Sequence, residues 1–132
     1  MENERKHPAD IAGCLLRAAA PVTWICLILI GSLMPSGPPG PAGLTFPGMD
    51  LVFHFAAYAV FAALTAWALE GSPVSARGCM AVVFPLCIGG MLEVVQPLVG
   101  RTMSWKDAVA NGAGALVGFA LAEAVLRASR AR

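Results

Sequence analysis

Eight residues carry most of the chemistry this sequence can offer: Asp50, His54, Tyr58, Glu93, Gln96, Arg101, Asp107 and Asn111. Their spacing groups them. Asp50, His54 and Tyr58 recur at i, i+4 and i+8, Glu93 and Gln96 at i and i+3, and Asp107 and Asn111 at i and i+4. These intervals stack side chains along one face of a helix. Such a set can bind a polar ligand. Arg101 presents a planar fork to a carboxylate or phosphate, the carboxylates Asp50, Glu93 and Asp107 accept hydrogen bonds or pair with cations, and His54, Gln96 and Asn111 fix orientation. The set can also support acid–base chemistry, with His54 beside a carboxylate and Arg101 stabilising an oxyanion. No activated Ser or Cys lies beside His54 in sequence, so no catalytic residue is assigned. Carboxylates alone suggest only a loose Mg²⁺ or Ca²⁺ site, and neither a metal nor a cofactor is expected.

The elements that position these residues follow from composition. Of 132 residues, 58% are hydrophobic and 13% charged, with a mean hydropathy of +0.71. Soluble domains run about 45–50% apolar with glycine included and about 25% charged. So few charges exclude a soluble globule of this size, and so much apolar residue excludes a disordered chain. A net charge of +1 with dispersed basic residues argues against a nucleic-acid partner. Four apolar stretches, 18–34, 51–69, 79–99 and 107–126, are each close to the length that crosses a bilayer. The expected fold is all-α, a single domain of four transmembrane helices in an antiparallel bundle. Open strands are excluded because hydrocarbon offers no partner to an unpaired backbone group. The first stretch is kept as a span, since no A-x-A cleavage site precedes Pro35.

Orientation follows from the basic residues. Seven of them (Arg5, Lys6, Arg17, Arg77, Arg127, Arg130 and Arg132) fall on one side and two (Arg101 and Lys106) on the other. The positive-inside rule therefore puts both termini in the cytoplasm. All eight candidate residues then lie in the outer half of the bilayer or in the loop beyond it. The outer segment 35–50 is rich in Pro and Gly and reads as an extended spacer. The segment 70–78 reads as a short turn joining a helical hairpin.

Each candidate also has a plainer role. Asp50 can cap the second span, and Ser104 with Asp107 resembles a capping box opening the fourth. His54 can be an interfacial histidine and Tyr58 an aromatic contact with a hydrogen-bonded tip. Glu93, embedded in apolar sequence, needs a partner or a wet cavity, since an ionisable group in a span costs about 2.5–3.5 kcal/mol. Arg101 is its natural counter-charge, whether as a structural pair or as a shared ligand site. Gly114 and Gly118 read as a packing seam that also permits a homo-oligomer. Glu70, and Glu123 with Arg127, read as interfacial charges, and Trp105 as an anchor for the fourth span. Pro21 and Pro85 are expected to kink their helices. Cys14, Cys26, Cys79 and Cys87 show no metal-like spacing and read as small packing residues.

Three blocks of this sequence resemble the VanZ-like family. DLVFHFAAY from Asp50 to Tyr58 matches D-x-x-x-H-F-x-x-Y. LEVVQPLVGR from Leu92 to Arg101 matches E-x-x-Q with G-R-[ST] following, and DAVANGAGALVG from Asp107 to Gly118 matches D-x-x-x-N-x-x-G-x-x-x-G. The resemblance runs from Leu33-Met34-Pro35 through the fourth span. It implies a small bacterial inner-membrane protein, and for the founding member an association with resistance to teicoplanin, an acylated glycopeptide. Leu51 departs from the pattern, since many relatives carry lysine after the aspartate, which leaves Asp50 with fewer local partners.

Three functions remain distinct at this level. The leading expectation is a membrane protein without demonstrated catalysis, whose outward polar pocket binds a lipid head group or lipoglycopeptide and contributes to teicoplanin-type resistance or envelope homeostasis. The second is a membrane enzyme acting on a lipid-linked substrate at the outer interface. The third is a structural partner or proton-coupled transporter, for which four helices are few and no inner-side ionisable residue completes a path.

Overall fold

The computed structural model describes residues 8–34, 48–100, 102 and 104–132. It forms four long helices: α1 (Pro8–Leu33), α2 (Met49–Ala68), α3 (Val74–Val99) and α4 (Trp105–Arg130). No strand occurs among the described residues. At 1.5 Å per residue, even the 20-residue α2 is about 30 Å long, the thickness of a hydrocarbon core. Each helix is long and apolar enough to cross a membrane. Large apolar side chains such as Leu16, Ile30, Met91, Val94, Leu121 and Val125 cover the outside. In water this surface would be unfavourable; in lipid it is the solvated face. The chain is an all-α, multi-pass membrane protein.

Contact pairs fix the directions. Trp24 meets Ala57 and Arg17 meets Glu70, so α1 and α2 run antiparallel. Arg77 meets Glu123 and Glu93 meets Ser104, so α3 and α4 do the same. Phe55 faces Gly114 and Ala59 faces Gly118, a matched step of four residues that makes α2 and α4 parallel. The helices therefore alternate in direction along the chain.

The α2–α4 contact is the centre of the fold. A Cβ on Gly114 would lie 2.1 Å from the Phe55 carbonyl oxygen, and one on Gly118 only 2.0 Å from that of Ala59. Backbone thus rests on backbone, which only glycine permits at these two positions. The seam is intramolecular, and both glycines are engaged by α2. Tyr58, Phe61, Ala62, Ala81, Ala115 and Ile28 form the buried cluster around it. The Trp24 indole N–H donates to the Ala57 carbonyl at 2.8 Å and ties α1 to this core.

The helix boundaries differ from the sequence reading in ways that move charges. The turn expected over 70–78 is shorter, because Pro73 serves as N-cap and the helix starts at Val74. Arg77 consequently lies in the first turns of α3 instead of in a loop. Helix α1 starts at Pro8, so Arg17 is inside it, and Pro21 sits within α1 without ending it. Pro85 is accommodated by a π-turn over Cys79–Val83, where the Phe84 N–H reaches back five residues to the Cys79 carbonyl. The wider turn relieves the clash that a proline ring makes with the carbonyl four residues earlier. The spacer over 35–47 lies outside the described residues. The four cysteines are free and exposed on the outside of the helices, contrary to the expectation that they pack inside. A small side chain on a lipid-facing surface needs no protein neighbour.

Candidate functional site

One end of the bundle gathers the polar residues of three helices. Tyr58 from α2, Glu93 and Gln96 from α3, and Asp107 and Asn111 from α4 are all buried, Gln96 to 1% exposure and Asn111 to 2%. His54 is half-buried among them.

The arrangement is built from the start of α4 upward. Ser104 is its N-cap, with backbone in the extended region, and its hydroxyl accepts from the Asp107 N–H at 3.4 Å. In a capping box, the third helical residue would reach back to the N–H of the cap. Here that N–H donates instead to Glu93 Oε2 at 2.9 Å. A carboxylate of α3 thus completes the cap of α4, and the Asp107 carboxylate is released to face α2. It approaches His54, with Oδ2 at 3.6 Å from Nε2. The other ring nitrogen, Nδ1, lies 3.0 Å from Asn111 Oδ1.

Both ring nitrogens of His54 are therefore engaged by α4. The Nδ1 contact is a hydrogen bond, whereas the Nε2 contact, at 3.6 Å, is a longer polar approach. His54 thus stands between two side chains of α4 one helical turn apart. Gly89 of α3 makes room beside them. A Cβ there would lie 2.6 Å from the Tyr58 hydroxyl oxygen and 3.2 Å from Asn111 Nδ2, so the missing side chain lets α2, α3 and α4 meet.

Among the described residues, two buried acceptors at this end have no hydrogen-bond partner, Asp107 Oδ1 and Gln96 Oε1. A buried acceptor without a donor costs about 1–3 kcal/mol, more when charged. Both lie at one end of the bundle, so polar satisfaction among the described residues is incomplete there. Among the described residues, no group of three or more His, Cys, Asp or Glu is arranged to hold a metal ion.

Of the eight residues named from sequence, Asp107 and Asn111 both approach His54, Tyr58 and Asn111 both border the space at Gly89, and Glu93 joins through Ser104. Gln96 is buried where α3 tightens into its final 3₁₀ turn, Gln96–Val99. Asp50 does not join. It is exposed in the first turn of α2, makes no side-chain cap, and complements the positive end of that helix. Sharing a helical face with His54 does not bury it. Arg101, expected to pair with Glu93, lies outside the described residues. Ser104 and Gly89 are additions to the set. Gly89 was legible as the residue four before Glu93, on the same face.

The opposite end holds an ion pair that the sequence reading assigned otherwise. Glu123 does not sit with Arg127 at an interface. It is buried to 6% exposure and accepts two hydrogen bonds from Arg77, Nε to Oε1 at 2.6 Å and Nη2 to Oε2 at 2.7 Å. The third arm of Arg77 donates to the Ser72 carbonyl. Glu70 accepts two guanidinium contacts, from Arg17 at 3.5 Å and Arg130 at 3.8 Å.

Comparison with family models, curated proteins and solved structures gives no match.

Proposed function

We propose that the chain is a VanZ-like membrane protein that binds the polar head of an amphiphile, a lipid head group or a lipoglycopeptide, at the end of the bundle bearing His54. The observation that carries this reading is the pair of buried acceptors without partners, Asp107 Oδ1 and Gln96 Oε1. They call for a ligand rich in donors, such as an ammonium, an amino sugar or a set of hydroxyls. The adjoining apolar helix faces suit its acyl chain. In this reading Glu93 shapes the site through the Ser104 cap, and His54 and Asn111 hold Asp107 in place.

The same geometry weighs against catalysis at His54. Both ring nitrogens already face side chains of α4, so neither is directed at a substrate proton. The excess of arginines at the other end orients the site outward under the positive-inside rule, with both termini in the cytoplasm of a bacterial inner membrane. The family resemblance extends the proposal to teicoplanin-type resistance or envelope homeostasis.

Native mass spectrometry of the purified chain tests the site directly. Wild type should retain phospholipid or added teicoplanin, while Asp107→Asn and Gln96→Leu, at unchanged helicity, should lose most of it. Equal retention by all three would remove the head-group site. Topology is checked separately: a cysteine replacing Lys106 should react with an impermeant maleimide from outside the cell and one replacing Ser72 should not.

A further inference from the structure

At the Arg77 end, an open groove of about 280 Å³ runs between α2 and α4, lined entirely by apolar side chains: Ala63, Trp67, Leu121, Ala122, Val125 and Leu126. What lies at its end is charged. Glu70 follows Trp67 by about one turn, and Arg130 follows Leu126 by one turn. The Arg17 guanidinium stands 5.4 Å from the Trp67 ring centroid, close enough for a cation–π contact. Arg17 and Arg130 converge on the single Glu70 carboxylate at 3.5 and 3.8 Å. Their side chains are 49% and 51% exposed, so most of their N–H donors are available. Two guanidinium charges against one carboxylate leave a positive excess, and the exposed Arg127 adds to it.

We propose that this groove holds an acyl chain of an anionic phospholipid whose phosphate is bound between Arg17 and Arg130. The match is one of chemistry and order. An apolar channel at membrane depth ends on guanidinium forks that suit a phosphate bidentately, with an indole at the boundary between them. The net positive charge selects the lipid. A phosphatidylcholine brings its own cation to a site that already has too many, whereas an anionic lipid neutralises the excess. This site is at the opposite end of the helices from His54 and does not rest on the head-group reading made there.

The test uses the full chain in phosphatidylcholine vesicles doped with increasing phosphatidylglycerol or phosphatidylcholine carrying dibrominated acyl chains, which quench nearby tryptophan. Wild type should show a saturable quenching component with the brominated phosphatidylglycerol that brominated phosphatidylcholine does not reproduce. Trp67→Phe should remove that component. Arg17→Gln/Arg130→Gln should shift its midpoint about 30-fold to higher lipid, the loss expected for two basic residues near a membrane surface. The exposed arginines can be replaced without unfolding the chain. Equal quenching by the two lipids in wild type, a component that persists in Trp67→Phe, or a midpoint unchanged in the double variant would each overturn the proposal. Inorganic phosphate should leave the component in place; its displacement by phosphate alone would assign the arginines to a soluble anion and overturn the lipid.

Discussion

The two ends of this bundle treat buried charge in opposite ways. At one end Arg77 and Glu123 form a bidentate pair, and the remaining arm of Arg77 is taken up by the Ser72 carbonyl. At the other end Asp107 approaches His54 at 3.6 Å through one oxygen, while its second oxygen and that of Gln96 have no partner among the described residues. At the first end the buried pair is closed, in that Arg77 and Glu123 find their complements inside the protein, while the half-exposed arginines around Glu70 stay open. The second is open. A closed charged pair fastens helices, whereas unmet acceptors favour something brought from outside. The same four helices thus combine a clasp with a cluster of unmet acceptors, joined by the glycine seam of α2 and α4.

This contrast can be broken by mutation. The largest effect is expected from Glu123→Gln, which leaves the Arg77 guanidinium buried without its counter-charge and should lower Tm by roughly 10 °C. Replacing both partners, as Arg77→Met/Glu123→Leu, should recover most of that loss; a double variant as unstable as the single one would show that the pair is not a closed unit. Gly114→Ala comes next. Its Cβ would meet the Phe55 carbonyl at 2.1 Å, so α2 and α4 must separate, and Tm should fall by about 6 °C. Because Asn111 is one turn away, the same variant should alter the histidine ring resonances of His54 in an NMR spectrum, and an unperturbed ring would argue against a shared seam.

At the open end the sign of the comparison reverses. Asp107→Asn should change Tm by only about 3 °C in ligand-free detergent, since one long contact is lost and an unmet charge is removed with it. It should nevertheless abolish most head-group retention. A stability loss as large as that of Glu123→Gln would make the two ends equivalent and remove the distinction. The smallest effect belongs to Glu70→Gln, whose carboxylate is partly exposed between two half-exposed arginines; thermal unfolding should move by less than about 2 °C.

Much of the fold was legible in the sequence because lipid imposes a simple rule on composition. The four apolar stretches correspond to four helices, and the expected span 51–69 corresponds closely to Met49–Ala68. Boundaries next to charges were less legible. Arg77 was read as a loop residue because Gly71, Pro73 and Gly78 look like a turn, yet Pro73 caps a helix and Gly78 lies within it against the Phe119 ring. Glu123, with Arg127, was read as an interfacial charge, but it is buried and the partner that meets both of its carboxylate oxygens comes from another helix. Asp50 shows the converse: ideal spacing with His54 along one face, and no burial, because a helical interval says nothing about what covers each turn.

What the sequence determined by itself was the all-α membrane class, the number of long helices and the grouping of polar residues by helical face. These depend on local periodicity and on transfer of side chains into lipid, both of which are properties of short segments. Only the tertiary structure decided which partner each polar group takes. It turned the Asp107 carboxylate away from its own cap by supplying Glu93, engaged both nitrogens of His54, and joined Arg77 to Glu123. Hydrogen bonds require atoms within about 3 Å and in the right direction, ion pairs within about 4 Å, and at the His54 end that proximity depends on backbones packing as closely as Gly114 and Gly118 allow.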